Sequence, residues 1–177
     1  FVRERTDMVG LGPKMIMNPK VWEASGHIKN FTDPMVECKS CHQRFRADEA
    51  EKSKIQKCPN CGGADFTEPK QFNLLFKTFL GPTEDKAAEV YLRGELAQAM
   101  FVDLPQVAQT TRMELPFGIA AQGAVFRNEI TPGNFIFRTR EFELMEFEYF
   151  VQSEDWKKWF DYWLEEMKKW FKLLGVR

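Results

Sequence analysis

The chain has 177 residues, 44% of them hydrophobic and 29% charged, with a formal net charge of -1. This length suits one domain with a real core, and the near-neutral charge excludes a general basic surface for nucleic acid. No apolar run reaches the roughly 20 residues of a membrane-spanning helix, and no secretory signal is visible. Because the chain begins directly with a charged, strand-like segment at residues 1–5, we expect it to be a piece of a longer chain.

A short helix is the first predicted element. Asn18 and Pro19 break the chain, and residues 20–27 then form one or two helical turns. Gly26 is expected to end this helix, because glycine readily adopts the left-handed conformation that follows many helix ends.

All four cysteines follow as two Cys-x-x-Cys pairs, Cys38 with Cys41 and Cys58 with Cys61. Pairs with this separation are typical of a tetrahedral zinc site, in which each tight turn points two sulfurs at one ion. Two local disulfides or free thiols are the alternatives, and the missing secretion signal argues against disulfides. We predict a structural zinc module over residues 33–69, with His42 outside the ligand set and a solvated, charged middle from residue 44 to residue 57.

The next elements are predicted from apolar runs and breakers. Residues 71–80 are expected to form a buried strand, Gly81 and Pro82 a turn, and residues 86–93 another short strand. Apolar residues then recur at helical spacing from residue 95. Pro105 interrupts that pattern, so we predict a helix over 95–104 and a second helix after the proline.

A strand that begins at 115–120 is predicted to run through 121–129, turn at 131–134 and return over 141–151 as a hairpin. Alternation divides the returning strand into two faces, one with Phe142, Leu144, Glu146, Glu148 and Phe150, the other with Met145, Phe147, Tyr149 and Val151. The second is a plain core face. The first mixes rings with carboxylates, which a buried sheet tolerates only beside a polar or cationic group.

We interpret the first face of the hairpin as a site for a nucleotide and an amine. Arg127 can bind a phosphate with two hydrogen bonds, Phe142 can stack on a purine, and Glu146 can pair with an ammonium group. The alternative is an exposed hairpin whose Arg and Glu side chains form surface salt bridges.

The last predicted element is an amphipathic helix. Its apolar stripe consists of Trp156, Trp159, Phe160, Trp163, Met167, Trp170, Phe171 and Leu174. Ser153 or Glu154 is expected to cap it and Gly175 to end it. Such a stripe could be a binding surface, but we expect it to pack on the second face of the hairpin strand.

The hairpin sequence resembles motif 2 of the class II aminoacyl-tRNA synthetases, in the wording of the homodimeric glycyl-tRNA synthetases. From residue 126 to residue 148 it reads FRNEITPGNFIFRTREFELMEFE. Segments that also resemble this family occur in the same order, together with the cysteine pairs: MNPKVWEASGH (17–27), QFNLLFKT (71–78), YLRGELAQ (91–98) and LPFGIA (115–120).

The resemblance implies an α+β fold, with an antiparallel β-sheet flanked by helices, in one catalytic core over 1–177 that includes the 33–69 zinc-binding insertion. It implies that ATP and glycine condense to glycyl-adenylate and pyrophosphate, and that glycine is then transferred to the acceptor end of tRNA. ATP, Mg²⁺ and a structural Zn²⁺ are the implied cofactors, and a membrane is not an expected partner.

The same resemblance assigns roles to individual residues. Arg127 would hold the α-phosphate of ATP and the glycine carboxylate, and would stabilise charge on the reacting phosphorus. Phe142 would stack on adenine, and Glu129 would contact the adenine edge, the tRNA end or Mg²⁺. The predicted glycine pocket consists of Arg93, Glu95 and Glu146.

Some positions depart from the family pattern. Gly94 and Leu96 stand where these enzymes have Pro and Thr, which puts glycine selectivity in question. Within residues 118–126 the family's Gln and Lys are displaced or lost, which puts part of the pocket in question. Most of motif 1 would precede Phe1, whereas motif 3 and the anticodon-binding domain would follow Arg177. We therefore expect a catalytic-core fragment whose dimerisation is open.

The favoured function is that of a glycine–tRNA ligase core of reduced activity in the cytoplasm, although the same enzyme type also serves organelles. A remnant that binds nucleotide or RNA without catalysis is the first alternative. A structural, zinc-bearing accessory domain is the second.

Overall fold

The computed structural model describes residues 1–48 and 57–176, and within these ranges the chain is a mixed α+β protein with three small three-stranded sheets. The strands are β1 Met8–Leu11, β2 Ile16–Met17, β3 Thr32–Glu37, β4 Arg44–Arg46, β5 Lys70–Asn73, β6 Lys77–Phe79, β7 Glu89–Leu92, β8 Phe117–Phe126 and β9 Glu141–Phe150. The α-helices that lie wholly in these ranges are α1 Pro19–Ala24, α2 His27–Asn30, α3 Ala97–Thr111 and α4 Trp156–Leu173. No helix among the described residues is long and apolar enough to cross a membrane.

The predicted hairpin is the longest pairing in the described structure. β8 and β9 run antiparallel over ten residues each, from Phe117 opposite Phe150 to Phe126 opposite Glu141. β1 lies parallel to the other side of β8, with Met8 opposite Gly118. The coarse expectation of an α+β fold with antiparallel sheets is thus confirmed, and β1 adds a parallel strand to it.

The core lies between this sheet and α3. Its fully buried members are Leu96, Met100, Phe117, Ile119 and Val125. Phe142, Leu144 and Phe150 of β9 pack against them, as expected for side chains that share one face of a strand. The face that also carries Glu146 and Glu148 therefore points towards α3.

Helix α4 packs on the opposite face of the hairpin, which confirms the expected partner. The Trp163 ring lies 4.7 Å from the Phe147 ring and 5.0 Å from the Tyr149 ring, between centroids. Arg5 joins the start of the chain to this contact, because its guanidinium lies 4.7 Å over Trp163 and donates to the Tyr162 hydroxyl at 2.7 Å.

The packed stripe of α4 is narrower than predicted, and its residues are only partly buried. Trp156, Phe160, Phe171 and Leu174 are exposed, although the sequence placed them on the packed side. An 18-residue helix that crosses a three-stranded sheet covers only the line through Trp159, Trp163 and Trp170, so the flanking apolar side chains remain in solvent. A hydrophobicity pattern does not distinguish side chains that contact the sheet from apolar side chains beside them, so it predicted a stripe wider than the one that packs.

The ends of α4 follow the prediction in part. Gly175 adopts a φ of 76° beyond the helix, as expected of a terminating glycine. The predicted caps at Ser153 and Glu154 are wrong, since both residues lie in a separate 3-10 turn and the Ser153 hydroxyl donates to the Glu154 carboxylate.

Three predictions about the middle of the chain are also wrong in part. Helix α3 continues through Pro105, and both Pro105 and residue 101, whose carbonyl loses its donor, are exposed. The predicted strand 71–80 divides into β5 and β6 around the buried Leu74 and Leu75. Asn73 causes this break, because its side chain accepts from the Leu75 amide at 2.8 Å. The predicted strand 86–93 begins as a 3-10 turn and becomes β7 only at Glu89.

The cysteine-rich segment is built on β3, which pairs with β4 on one side and with β5 on the other. Residues 49–56, the greater part of the charged middle predicted for this module, lie outside the described residues. The short helix predicted before it is α1, whose start is capped by the Asn18 side chain, which accepts from the Lys20 amide. It ends at Ala24, two residues before Gly26, and Gly26 with a φ of 80° separates it from α2.

Candidate functional site

Arg127 and Phe142 meet at the loop end of the β8–β9 hairpin. Arg127 follows β8 directly, and its amide donates to the Arg140 carbonyl at 2.9 Å, which extends the ladder by one step. Its guanidinium lies 5.4 Å from the Phe142 ring centroid and 5.3 Å from that of Phe31. The Nε atom donates to the Gly94 carbonyl at 3.3 Å. Two aromatic faces and one carbonyl therefore hold the guanidinium in place.

Phe31 was missed by the sequence analysis. It is a single aromatic residue directly after the four-residue helix α2, and no periodic pattern marks it. Only the fold shows that its ring faces Arg127.

Glu95, Glu146 and Glu148 form an acidic group, which is linked to this arginine through the Gly94 carbonyl, one residue before Glu95. Glu146 accepts from the Leu96 amide at 2.8 Å, and Glu95 accepts from the Gln98 amide group at 2.5 Å. Burial, followed by the charges of Glu146 and Glu95, raises the pKa of Glu148 above its ordinary value of 4.5. The structure thus brings Glu95 and Glu146 together, and adds Glu148, which the sequence placed on the same face but not in the site.

Leu96 contributes to this region through its backbone. Its side chain is fully buried in the core with Met100 and Ile119, and its amide binds the Glu146 carboxylate. The Leu96 side chain therefore fills volume in the core, and only its backbone N–H interacts with the acidic group.

Arg93 is only 3% exposed and binds the backbone beneath the site. Its Nε donates to the Ala124 carbonyl at 2.8 Å, and its Nη1 donates to the Pro13 carbonyl at 2.5 Å. A side chain at Gly123 would meet the guanidinium, since a Cβ there would lie 2.6 Å from Nη2. The arginine therefore joins distant backbone segments, and its place in the glycine pocket stays a prediction.

Glu129 has a buried carboxylate oxygen without a hydrogen-bond donor among the described residues. The residue is 9% exposed, and Oε2 is the unpartnered atom. Its backbone carbonyl is held by Arg140, whose Nε and Nη2 donate at 3.2 Å and 3.0 Å. An unsatisfied buried carboxylate is costly, so this oxygen suits a ligand donor or a cation.

The loop between the two strands is exposed at its tip. Asn134 and Phe135 adopt positive φ angles of 55° and 56°, and three consecutive apolar side chains, Phe135, Ile136 and Phe137, face solvent. The predicted turn at 131–134 is thus part of a longer loop that keeps its apolar residues outside the core.

The four cysteines form the one group of three or more candidate metal ligands found among the described residues. Their sulfurs lie within 4.8 Å of one another, with 3.6 Å between Cys38 and Cys61 and between Cys41 and Cys58. Tetrahedral zinc with bonds of about 2.3 Å places its sulfurs about 3.8 Å apart, which matches these separations. All four thiols are free, so the disulfide alternative does not describe this structure.

Turn geometry and electrostatics both favour a cation among these sulfurs. The amides of His42 and Gly62 donate back to Cys38 and Cys58 at 2.8 Å, which makes each pair a tight turn. Hydrogen bonding from Asn60, with the Gln43 amide, lowers the pKa of the Cys41 thiol to about 6, whereas the neighbouring sulfurs and burial raise the pKa of the Cys61 thiol to about 12, a cost that a bound cation would relieve. The His42 ring binds Glu37 at 2.8 Å outside the cluster, as predicted.

Comparison with known proteins gives consistent relatives. No protein-family model matches the chain. It is 52% identical to a glycine–tRNA ligase of Streptomyces coelicolor, 48% to one of Geobacillus thermodenitrificans and 49% to one of Treponema denticola. These alignments cover 100%, 99% and 97% of this chain but only 42%, 43% and 38% of the relatives. The chain thus spans about two fifths of the length of the curated relatives it matches, and over that part it is a homologue of the glycyl-tRNA synthetases, which confirms the resemblance.

Proposed function

We propose that the chain is the part of a class II glycine–tRNA ligase that activates glycine with ATP and passes it to the tRNA acceptor end in the cytoplasm. The observation that carries this proposal is the guanidinium of Arg127, held between two rings and bound to the carbonyl of Gly94, the residue before Glu95 of the acidic group. A fixed guanidinium and a group of carboxylates linked in this way suit a triphosphate and the ammonium group of an amino acid.

Arg127 is the proposed catalytic residue. Within the described residues the only hydrogen bond of its side chain uses Nε, so both terminal amino groups are available for the α-phosphate and the glycine carboxylate. Attack of that carboxylate on the α-phosphorus forms the mixed anhydride and releases pyrophosphate. A fixed guanidinium stabilises the charge that develops on the phosphoryl oxygens. Phe142, on the same side, is the proposed platform for adenine.

The acidic group is the proposed site for the glycine ammonium. Mutual repulsion and burial disfavour ionised Glu148, and a bound cation relieves both effects. Glu95 and Glu146 are the proposed direct partners, and Arg93 supports the pocket through the backbone contacts described above. The small size of glycine fits a pocket in which backbone amides, such as that of Leu96, already hold the carboxylates.

Two metals are part of the proposal. Mg²⁺ would neutralise the phosphates of ATP, and the unpartnered oxygen of Glu129 is the residue atom that suits it or the adenine edge. Zn²⁺ would occupy the four cysteines in a structural role within the 33–69 insertion of a 1–177 catalytic core.

Pyrophosphate exchange that depends on both glycine and ATP tests this function. Arg127→Ala is expected to lower the exchange rate by about 100-fold or more, the usual effect of removing a preorganised donor to a transition state. The exposed Arg3→Ala is the matched control and should exchange like the unchanged chain.

The outcomes separate the candidate functions. Exchange that persists in Arg127→Ala contradicts the assignment of the site. ATP binding by calorimetry without any exchange identifies the nucleotide-binding remnant instead, and neither binding nor exchange identifies a structural module.

A further inference from the structure

The segment from Ser25 to Phe31 contacts both halves of the proposed site. His27 provides the first contact, since its Nε2 lies 3.2 Å from the Glu95 carboxylate. Its Nδ1 lies 2.9 Å from the Ser25 hydroxyl, so both ring nitrogens have partners. The ring packs between Trp22 and Phe31, at centroid distances of 5.2 Å and 5.1 Å. His27 is therefore fixed in orientation and position.

Phe31 provides the second contact. One neighbour of its ring is His27, and another is the guanidinium of Arg127 at 5.3 Å. The ring also lies against Gly94, where an added Cβ would come within 3.1 Å of Cε1. Since the Gly94 carbonyl binds Arg127, the ring, the glycine and the arginine form one packed unit.

The backbone of this segment is anchored by a residue from β5. The Asn73 side chain donates to the carbonyls of His27 and Ile28, at 3.0 Å and 2.9 Å. The Leu74 amide donates to the Phe31 carbonyl at 2.9 Å. A four-residue helix is not stable alone, and these bonds give it a defined position.

We propose that His27 and Phe31 are positioning residues for glycine activation, His27 through the Glu95 carboxylate and Phe31 through the Arg127 guanidinium. This inference rests on the proposed function and extends it to residues that act through Glu95 and Arg127. A single rigid segment thereby sets the distance between the group that binds the ammonium and the group that binds the phosphate. Misplacement of either group by a fraction of an ångström slows a reaction that depends on alignment.

The test is a pair of variants at each position, assayed by pyrophosphate exchange. His27→Leu removes the donor to Glu95, whereas His27→Gln retains one. We expect His27→Leu to raise the KM for glycine about tenfold, the scale of losing an outer hydrogen-bond partner, with the KM for ATP nearly unchanged. His27→Gln should recover most of the loss.

The two Phe31 variants should differ in the constants for ATP and not in the KM for glycine. Phe31→Leu removes the ring face from Arg127 and is expected to lower kcat and raise the KM for ATP, about tenfold in kcat/KM. Phe31→Tyr keeps the ring and should recover. A purely structural role would instead change all the constants together, in line with the melting temperature.

The chain offers matched controls for both positions. His42→Asn removes the only other histidine, which also pairs with a glutamate, and retains a residue that tolerates the positive φ of 59°. Phe79→Leu removes a ring that also has a cation over it, since the Lys77 ammonium lies 5.8 Å from its centroid. Neither should change the exchange constants. Calorimetric binding of glycine and of ATP to each variant is a second measurement that needs no turnover.

Two failures can be told apart. No exchange by the unchanged chain contradicts the proposed function itself. Exchange that Arg127→Ala abolishes, but that His27→Leu and Phe31→Leu leave unchanged or alter without the division between glycine and ATP, overturns this inference alone.

Discussion

Arg127 is positioned by rings and a carbonyl, and within the described residues by no carboxylate. A cation over an aromatic face gains about 0.5–2 kcal/mol and uses none of its hydrogen-bond donors. A salt bridge would have engaged the same amino groups that a phosphate needs. The arginine is thus held firmly and still has donors to offer.

The acidic group gives the protein a pH dependence of known sign. The pKa of Glu148 is raised above 4.5 by burial and by its acidic neighbours, so the folded state binds this proton more tightly than the unfolded state. The stability associated with that proton is fully present below pH 4.5 and is lost as the pH rises through the raised value.

Glu148→Gln is therefore expected to raise the melting temperature at neutral pH and to flatten its change above pH 4.5. Thermal denaturation across that range measures both effects. Glu84→Gln, at an exposed position, should follow the unchanged chain. A Glu148→Gln variant that melts lower at neutral pH would show that an ionised Glu148 is favourable in the fold.

Helix α4 contributes through one narrow line of contacts. Trp163 touches Phe147 and Tyr149, and the guanidinium of Arg5 lies over its ring. Trp156 lies on the same helix but is 62% exposed. The two tryptophans therefore differ in what they contribute, although the sequence pattern treats them alike.

Trp163→Ala is expected to lower the free energy of unfolding by about 3 kcal/mol, the lower end for removing a large aromatic ring, because Trp163 is only partly buried. Trp156→Ala should lower it by about 0.5 kcal/mol or less, as at other surface positions. Urea denaturation of both variants measures the difference. Equal losses would contradict the described packing of α4.

Patterns among neighbouring residues predicted the hairpin well, whereas contacts between distant parts of the chain could not be predicted from them. The alternation of β9 indicated which side chains face α3 and which face α4, because burial with a period of two is encoded in neighbouring residues. It also placed Arg127 and Phe142 together. The same reasoning could not find Phe31, whose contact with Arg127 depends on the tertiary fold. Pro105 misled the prediction of α3, since a solvated carbonyl tolerates a proline that a buried one would not.

The cysteine-rich module is connected to the site through its strands. β3 begins at Thr32, next to Phe31, and its partner β5 ends at Asn73, which anchors α2. The module and the site are therefore connected through the same two strands, β3 and β5. Loss of order in one is expected to reach the other.

Zinc removal tests this connection. The purified chain should contain one zinc per molecule, and its removal with a strong chelator should lower the melting temperature, since ligand binding to the native state adds to its stability. After the chelator is removed and Mg²⁺ restored, glycine-dependent exchange should stay reduced until zinc is returned. Cys38→Ser should behave like the metal-free chain and Ser40→Ala like the unchanged one. A metal-free chain with free thiols and normal melting would rule out the zinc assignment.

The pairing of Thr32 with Asn73 has one more consequence. The cysteine-rich module begins at Thr32 and ends at Asn73, and these two residues pair directly with each other. Insertions or deletions between them therefore need not shift Phe31 or Asn73. Because this pairing closes the segment between Thr32 and Asn73, that segment can be longer or shorter while the pocket keeps its dimensions.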